Sequence, residues 1–135
     1  MIKVKQKGFF IIEALIAIFV FAVGILGVIK IQGDTIQTTS DAFYRVQASF
    51  FAQNMIGKIT LDKPNASKYT STGNAEYDDW IAEIAAALPG STSDNVPVVT
   101  VTDSGVAKIV KVEIFWQPPM SNGNVSKFVT ETTIF

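Results

Sequence analysis

The residues placed to do chemistry are at the front of the chain. Lys3, Lys5 and Lys7 precede Gly8-Phe9, and Glu13 comes four residues after Phe9. Phe9–Ile29 is otherwise an unbroken apolar run, and Glu13 is its only charge. About 20 apolar residues in a helix cross a bilayer core of roughly 30 Å. A carboxylate inside such a run is costly, and it is normally kept for a function that needs it. The chemistry on offer is pairing of opposite charges in an apolar surrounding. A cut after Gly8 would free an ammonium at Phe9, and positions i and i+4 share one helix face. That ammonium and the Glu13 carboxylate can then neutralise each other, within one chain or between neighbours. The plain alternative for Glu13 is a stray charge reaching for the interface, but Glu does this less well than Lys or Arg.

The three lysines and the absence of any acid before Gly8 orient the run. The positive-inside rule keeps the leader in the cytoplasm and sends the residues after Ile29 across the membrane. A secretory signal would carry its cleavage site after the apolar segment, at small residues. Lys30-Ile31-Gln32-Gly33-Asp34 contains no Ala-x-Ala pattern. A plain signal anchor would explain this topology, but not Gly8-Phe9 combined with Glu13.

These residues carry a resemblance. A short basic leader, Gly8-Phe9, Glu13 and an uninterrupted apolar run together resemble the class III signal of type IV prepilins and pseudopilins. The resemblance implies cleavage after Gly8 by a prepilin peptidase, methylation of the new terminus at Phe9, and an assembly role for Glu13. Phe10 departs from the Thr, Ser or Met often found there. Ala22-Val23-Gly24-Ile25-Leu26-Gly27-Val28, then Ile31-Gln32, is similar to the PilV-type minor pilins. So are Trp80 leading to Leu88-Pro89-Gly90, and Val112-Glu113-Ile114-Phe115-Trp116. Residues 61–76 match no landmark of that group. The implied partners are the prepilin peptidase, other minor pilins and the major pilin, the inner-membrane assembly platform and the lipid bilayer. The implied place is the inner membrane before assembly and the pilus afterwards, with roles in adhesion, motility or DNA uptake. A type II secretion pseudopilin of the GspI kind is the neighbouring reading, and a membrane-tethered binding domain that never polymerises is a third. Gly24 and Gly27 read equally as assembly positions, through close packing or local helix loosening, and as ordinary membrane-helix glycines. Their spacing is not the Gly-x-x-x-Gly repeat.

Composition limits the chemistry further. The 135 residues include no cysteine and no histidine. That removes His-assisted nucleophiles and the commonest ligand of catalytic zinc, and it leaves the exported part to packing without disulfides. No cofactor, metal site or enzyme activity is expected. Without the leader lysines the formal charge is about −4, which gives no basic footprint for direct nucleic-acid binding.

The elements that must carry these residues are set by periodicity. The expected fold is α+β and type IV pilin-like. It has a leader at 1–8, a membrane and polymerisation half-helix at 9–29, an amphipathic half-helix at 30–61 and a small domain at 62–135. Ile36, Phe43, Val46, Phe50, Ala52, Ile56 and Ile59 step by mostly three or four residues, and no proline intervenes before Pro64. One helix over 9–61 would be about 80 Å long, with Gly33 as a candidate bend. Residues 62–74 read as turn and irregular chain. Asn74 is a candidate N-cap for a short helix that ends at Pro89-Gly90, with Glu76, Asp78 and Asp79 near its start. Those acids lack the alternation of a calcium loop. Three strands over 96–102, 107–117 and 125–135 then form an antiparallel meander with one face on the long helix. Two sequons, Asn65-Ala66-Ser67 and Asn124-Val125-Ser126, read as chance behind a bacterial-type leader.

Overall fold

A computed structural model of the chain describes residues 7–92, 94–119, 121 and 123–135. Most of the leader, 1–6, lies outside them. The chain is α+β. Helix α1 (Lys7–Leu61) is succeeded by a short 3-10 segment (Lys63–Tyr69), helix α2 (Ala75–Ala87) and strands β1 (Val98–Ser104), β2 (Ala107–Trp116) and β3 (Ser126–Ile134). It divides into two compact units, Met1–Ile36 and Gln37–Phe135.

The first unit is helix alone. α1 is long and apolar enough to cross a membrane by length and composition. α-Helix is unbroken through Gly24, Gly27 and Gly33.

The second unit contains a core. The sheet is antiparallel in the order β1-β2-β3. Its inner face presents Val99, Val110, Val112, Ile114, Trp116 and Ile134. β2 alternates strictly from Val110 to Trp116, as a half-covered strand must. Ala48, Ala52, Met55 and Ile59 of α1 and Trp80, Ile84 and Leu88 of α2 complete this core. The two helices are stitched where Trp80 Nε1 donates to the Phe51 carbonyl at 3.1 Å. Tyr77 Oη donates to the Pro97 carbonyl at 2.8 Å and ties α2 to the approach of β1.

Several boundaries differ from the sequence expectation, each for a local reason. The buried stripe of α1 keeps Ala52 and Ile59 of the expected set, with Ile56 half-buried beside them, and otherwise differs from it. Ala48, Ala52, Met55 and Ile59 are covered, whereas Ile36, Phe43, Val46 and Phe50 are exposed. Ala48 and Ala52 let this part of the helix lie close against its neighbours, and Met55 and Ile59 fill the core beyond them. Residues 63–69 are not irregular but 3-10, with Pro64 in the first turn and a kink at Asn65. β1 starts at Val98 instead of 96, because Pro97 has no N–H to give the ladder. Asn74 does occupy the N-cap, but its side chain makes no cap bond. It turns back to Ser71, while the Asp78 carboxylate accepts from the Gly73 N–H. Gly105, at φ 69°, opens the two-residue link between Ser104 and Ala107. A left-handed residue there suits the primed turns that match strand twist.

Candidate functional site

The front of α1 places Phe9, Ile12, Glu13 and Ile16 around one shallow hollow on the helix surface. The i to i+4 step puts Phe9 and Glu13 on one face, as the spacing requires. Gly8 lies in the first turn of the same helix. Phe9 is 73% exposed, and Glu13 is exposed too. None of the ion pairs among the described residues includes Glu13. Further along, Gly24 interrupts the side-chain surface. Val20, Phe21, Ile25, Val28, Ile29 and Gln32 rise around it as a second, apolar hollow. A Cβ at Gly24 or Gly27 would meet nothing within 4 Å, so neither glycine is required by packing inside this chain. Gly27 does not border the Gly24 hollow, and the two glycines therefore form no single notch.

The later landmarks converge elsewhere, in the second unit. Pro89-Gly90 docks on the end of β2, where the Gln117 N–H donates to the Pro89 carbonyl at 2.7 Å. Gly90 sits at φ 71°, and a Cβ there would lie 2.5 Å from the Gln117 Cβ. Trp80 and Leu88 are 1% exposed and Trp116 0%. These residues hold the fold together and present no reactive group.

One cluster has no counterpart in the sequence reading. Asp41 Oδ1 accepts from Trp116 Nε1 at 3.2 Å and from Ser126 Oγ at 2.9 Å. Its other oxygen faces Arg45 at 3.6 Å, and the Arg45 guanidinium lies 5.7 Å from the Trp116 ring centre. One carboxylate thus fastens α1 to the end of β2 and the start of β3. The only local signal is an acid on the helix beside an arginine at i+4; its true partners are 75 and 85 residues away. Next to it, Gln37, Thr38, Pro118, Ser121 and Asn124 line an open polar cleft of about 310 Å³.

Two tyrosines are perturbed. Burial raises the phenol pKa of Tyr77, and the nearby Asp78 charge adds to the shift. Burial is also the largest cause of the rise at Tyr69, ahead of the charges of Asp62 and Glu76 and a hydrogen bond to Asp62. Both are structural: Tyr77 holds Pro97, and Tyr69 Oη donates to Asp62 across 3.4 Å.

Compared with protein-family models, curated proteins and solved structures, the chain matches none.

Proposed function

We propose that this chain is a minor pilin of a type IV pilus, of the PilV type. In this reading a prepilin peptidase cuts after Gly8 and methylates Phe9. The apolar half of α1 waits in the inner membrane with the domain outside it. The assembly platform then transfers that half from lipid into a bundle made of the same halves of other pilins. Lipid tails and leucines are about equally apolar, so the transfer must be driven by packing and by polar pairing. A carboxylate left without a partner in such a bundle is strongly disfavoured. Glu13 facing the amino terminus of a neighbour therefore fixes the axial register, and the Gly24 hollow gives a neighbouring side chain a place to sit.

The observation that carries this reading is Glu13. It is the single charge of an apolar run whose large side chains are all exposed, it shares a face with Phe9, and no ion pair among the described residues includes it.

Mass spectrometry of the chain recovered from cells tests it. The expected mass begins at Phe9 and carries one added methyl group. An intact Met1 terminus, or a terminus after residue 30, would instead favour a tethered domain that never polymerises. Gly8→Val should hold the full-length chain in the membrane. Glu13→Val should leave insertion intact yet reduce incorporation into filaments, and normal incorporation would remove the register role.

A further inference from the structure

The two edges of the sheet differ. The outer edge of β1 runs beside the 3-10 segment, and Lys63 Nζ donates to the Val106 carbonyl at the β1–β2 turn. β3 is held on its inner face, where Ser126 donates to Asp41 of α1, but only one of its edges is paired, with β2; among the described residues no strand pairs with the other edge. Ser126–Ile134 is unbroken strand without proline. Every second residue of such an edge presents an unpaired N–H and C=O, which is a template for another strand.

The side chains along β3 say which strand fits. Lys127, Val129, Glu131 and Thr133 are exposed on the outer face of the sheet, while Phe128, Thr130 and Thr132 alternate toward the covered face. Lys127 and Glu131 have opposite charges and stand two residues to either side of Val129. Charged side chains, most often lysine, guard many edges against pairing, but here one charge of each sign flanks Val129. This edge is instead its own complement.

We propose that β3 pairs antiparallel with β3 of a second copy of this chain, about a two-fold axis through Val129. In that register Lys127 of each copy lies opposite Glu131 of the other, Val129 opposite Val129, and Phe128 opposite Thr130. Directly opposed unlike charges stabilise a ladder and like charges weaken it. Sliding the axis to Lys127 or to Glu131 sets identical charges face to face. Placing it at Phe128 or Thr130 leaves both kinds of charge opposite neutral side chains. A shift that pairs odd with even positions would oppose residues of different faces. Within the chain Lys127 lies 3.9 Å from Glu113, and Glu131 stands opposite Lys111 on β2; the Val129 register alone gives each a second opposite charge across the new ladder. A single ladder buries less than a standard interface, so the contact is of the weak, reversible class. It joins two three-stranded sheets into one of six strands. It rests on the strand and its charges, and stands independently of processing at Gly8.

The absence of cysteine makes the test direct. Residues opposed across an antiparallel ladder have Cα atoms about 4.5–5.5 Å apart, within disulfide range. Full-length chain carrying Val129→Cys, oxidised mildly in native membranes, should form a disulfide-linked dimer. Thr133→Cys, on the same face and equally exposed, should not, because its two copies would be far apart along the ladder. In the Val129→Cys background, Lys127→Glu alone and Glu131→Lys alone should each lower the dimer yield severalfold. Co-expressing those two variants should restore it as a mixed dimer, since each then supplies the charge the other needs. Intrinsic tryptophan fluorescence matching the parent checks that each variant is folded. Equal cross-linking at Thr133→Cys and Val129→Cys would overturn the proposal, as would the absence of a Val129→Cys dimer or failure of the mixed pair to recover. A Val129→Cys adduct to a different protein, without self-dimer, would equally overturn it.

Discussion

Along the first unit of α1 the large apolar side chains from Phe9 to Ile31 are 43–74% exposed, while in the second unit Ala48, Ala52, Met55 and Ile59 of the same helix are at 0%. Both stretches are helical, and both are mostly apolar where it matters. The difference lies in what covers them. Gln37–Phe135 folds a sheet and a second helix onto its part of α1 and makes its own core. Within the first unit, Phe9 to Ile31 offer contiguous apolar surface far larger than soluble monomers tolerate, and that unit folds no core of its own to cover it. Substitutions in the two regions should therefore read out in different assays: unfolding for the second unit, insertion or assembly for the first.

The sharpest break of that contrast is Trp116→Ala. The indole is fully buried, donates to Asp41 and lies beside Arg45. Emptying such a site costs about 3–5 kcal/mol, a large part of a small domain's stability. Urea unfolding of the full-length chain in detergent micelles, monitored by the fluorescence of Trp80, should show a large fall in midpoint or no folded baseline. A change in midpoint equivalent to less than about 1 kcal/mol would mean that Trp116 is not a keystone of the second unit.

Gly90→Ala comes next and tests the docking of the α2 terminus on β2. A side chain at φ 71° is strained, and its Cβ would meet Gln117 at 2.5 Å. Left-handed strain for an ordinary residue is of order 1–3 kcal/mol. The same substitution at Gly24, where a Cβ meets nothing within 4 Å, should leave the unfolding midpoint unchanged.

How much of the molecule is legible in its sequence depends on the range of the interaction. The run of apolar residues announces α1 because its signal is local and repeated. The meander is readable because Gly105 and the alternation of Val110, Val112, Ile114 and Trp116 are local as well. The inner face of α1 is readable only in part: Ala52 and Ile59 are covered as the periodicity has them, but size is a poor sign of burial over residues 36–50. Phe43, Val46 and Phe50 are large and exposed, while Ala48 and Ala52 are small and covered. Side-chain volume does not reveal which face a sheet will choose. The Asp41 cluster is hidden for a related reason, since its partners sit on strands 75 and 85 residues away. At the front of the chain the reverse holds. The placement of Phe9 and Glu13 on one face is fixed by helical spacing alone, and the structure adds the exposure of both.

Asp41→Ala sharpens the account of that cluster. It leaves a buried indole N–H without its acceptor, at a cost of about 1–3 kcal/mol. The carboxylate is about a third exposed on its Arg45 side, so loss of that ion pair adds little. Asp41→Asn keeps an oxygen for Trp116 and Ser126 and should recover most of the loss. Equal losses for the two variants in the urea midpoint would shift the weight from hydrogen bonding to charge.

Tyr77→Phe has a smaller effect and a pH signature. Losing the bond to Pro97 costs about 1 kcal/mol at neutral pH. Burial raises the Tyr77 pKa, so the folded state holds its proton more tightly than the unfolded chain. That preference contributes fully below the ordinary phenol value of about 10 and is lost as pH rises past it toward the raised folded value. The parent should lose stability steeply above about pH 10, and Tyr77→Phe less steeply. Parallel alkaline slopes in the urea midpoint would leave the alkaline loss to Tyr69, whose pKa is also raised.

The smallest effect is the most diagnostic. Phe21 is 70% exposed and borders the Gly24 hollow. Phe21→Ala removes as much apolar surface as many core truncations, yet it empties no cavity inside the chain. Its unfolding midpoint in micelles should move by less than about 0.5 kcal/mol, as for ordinary surface positions. A fall as large as that of a core truncation would show the first unit leaning on the second, and the division of α1 would fail. With the midpoint unchanged, any defect of Phe21→Ala in membrane retention or filament incorporation belongs to whatever covers the first unit from outside. Lipid accepts a smaller side chain with little loss of fit, whereas a packed neighbour loses contacts it cannot replace. Normal retention with impaired incorporation would therefore identify the cover that matters as protein, and impaired retention alone would identify it as lipid.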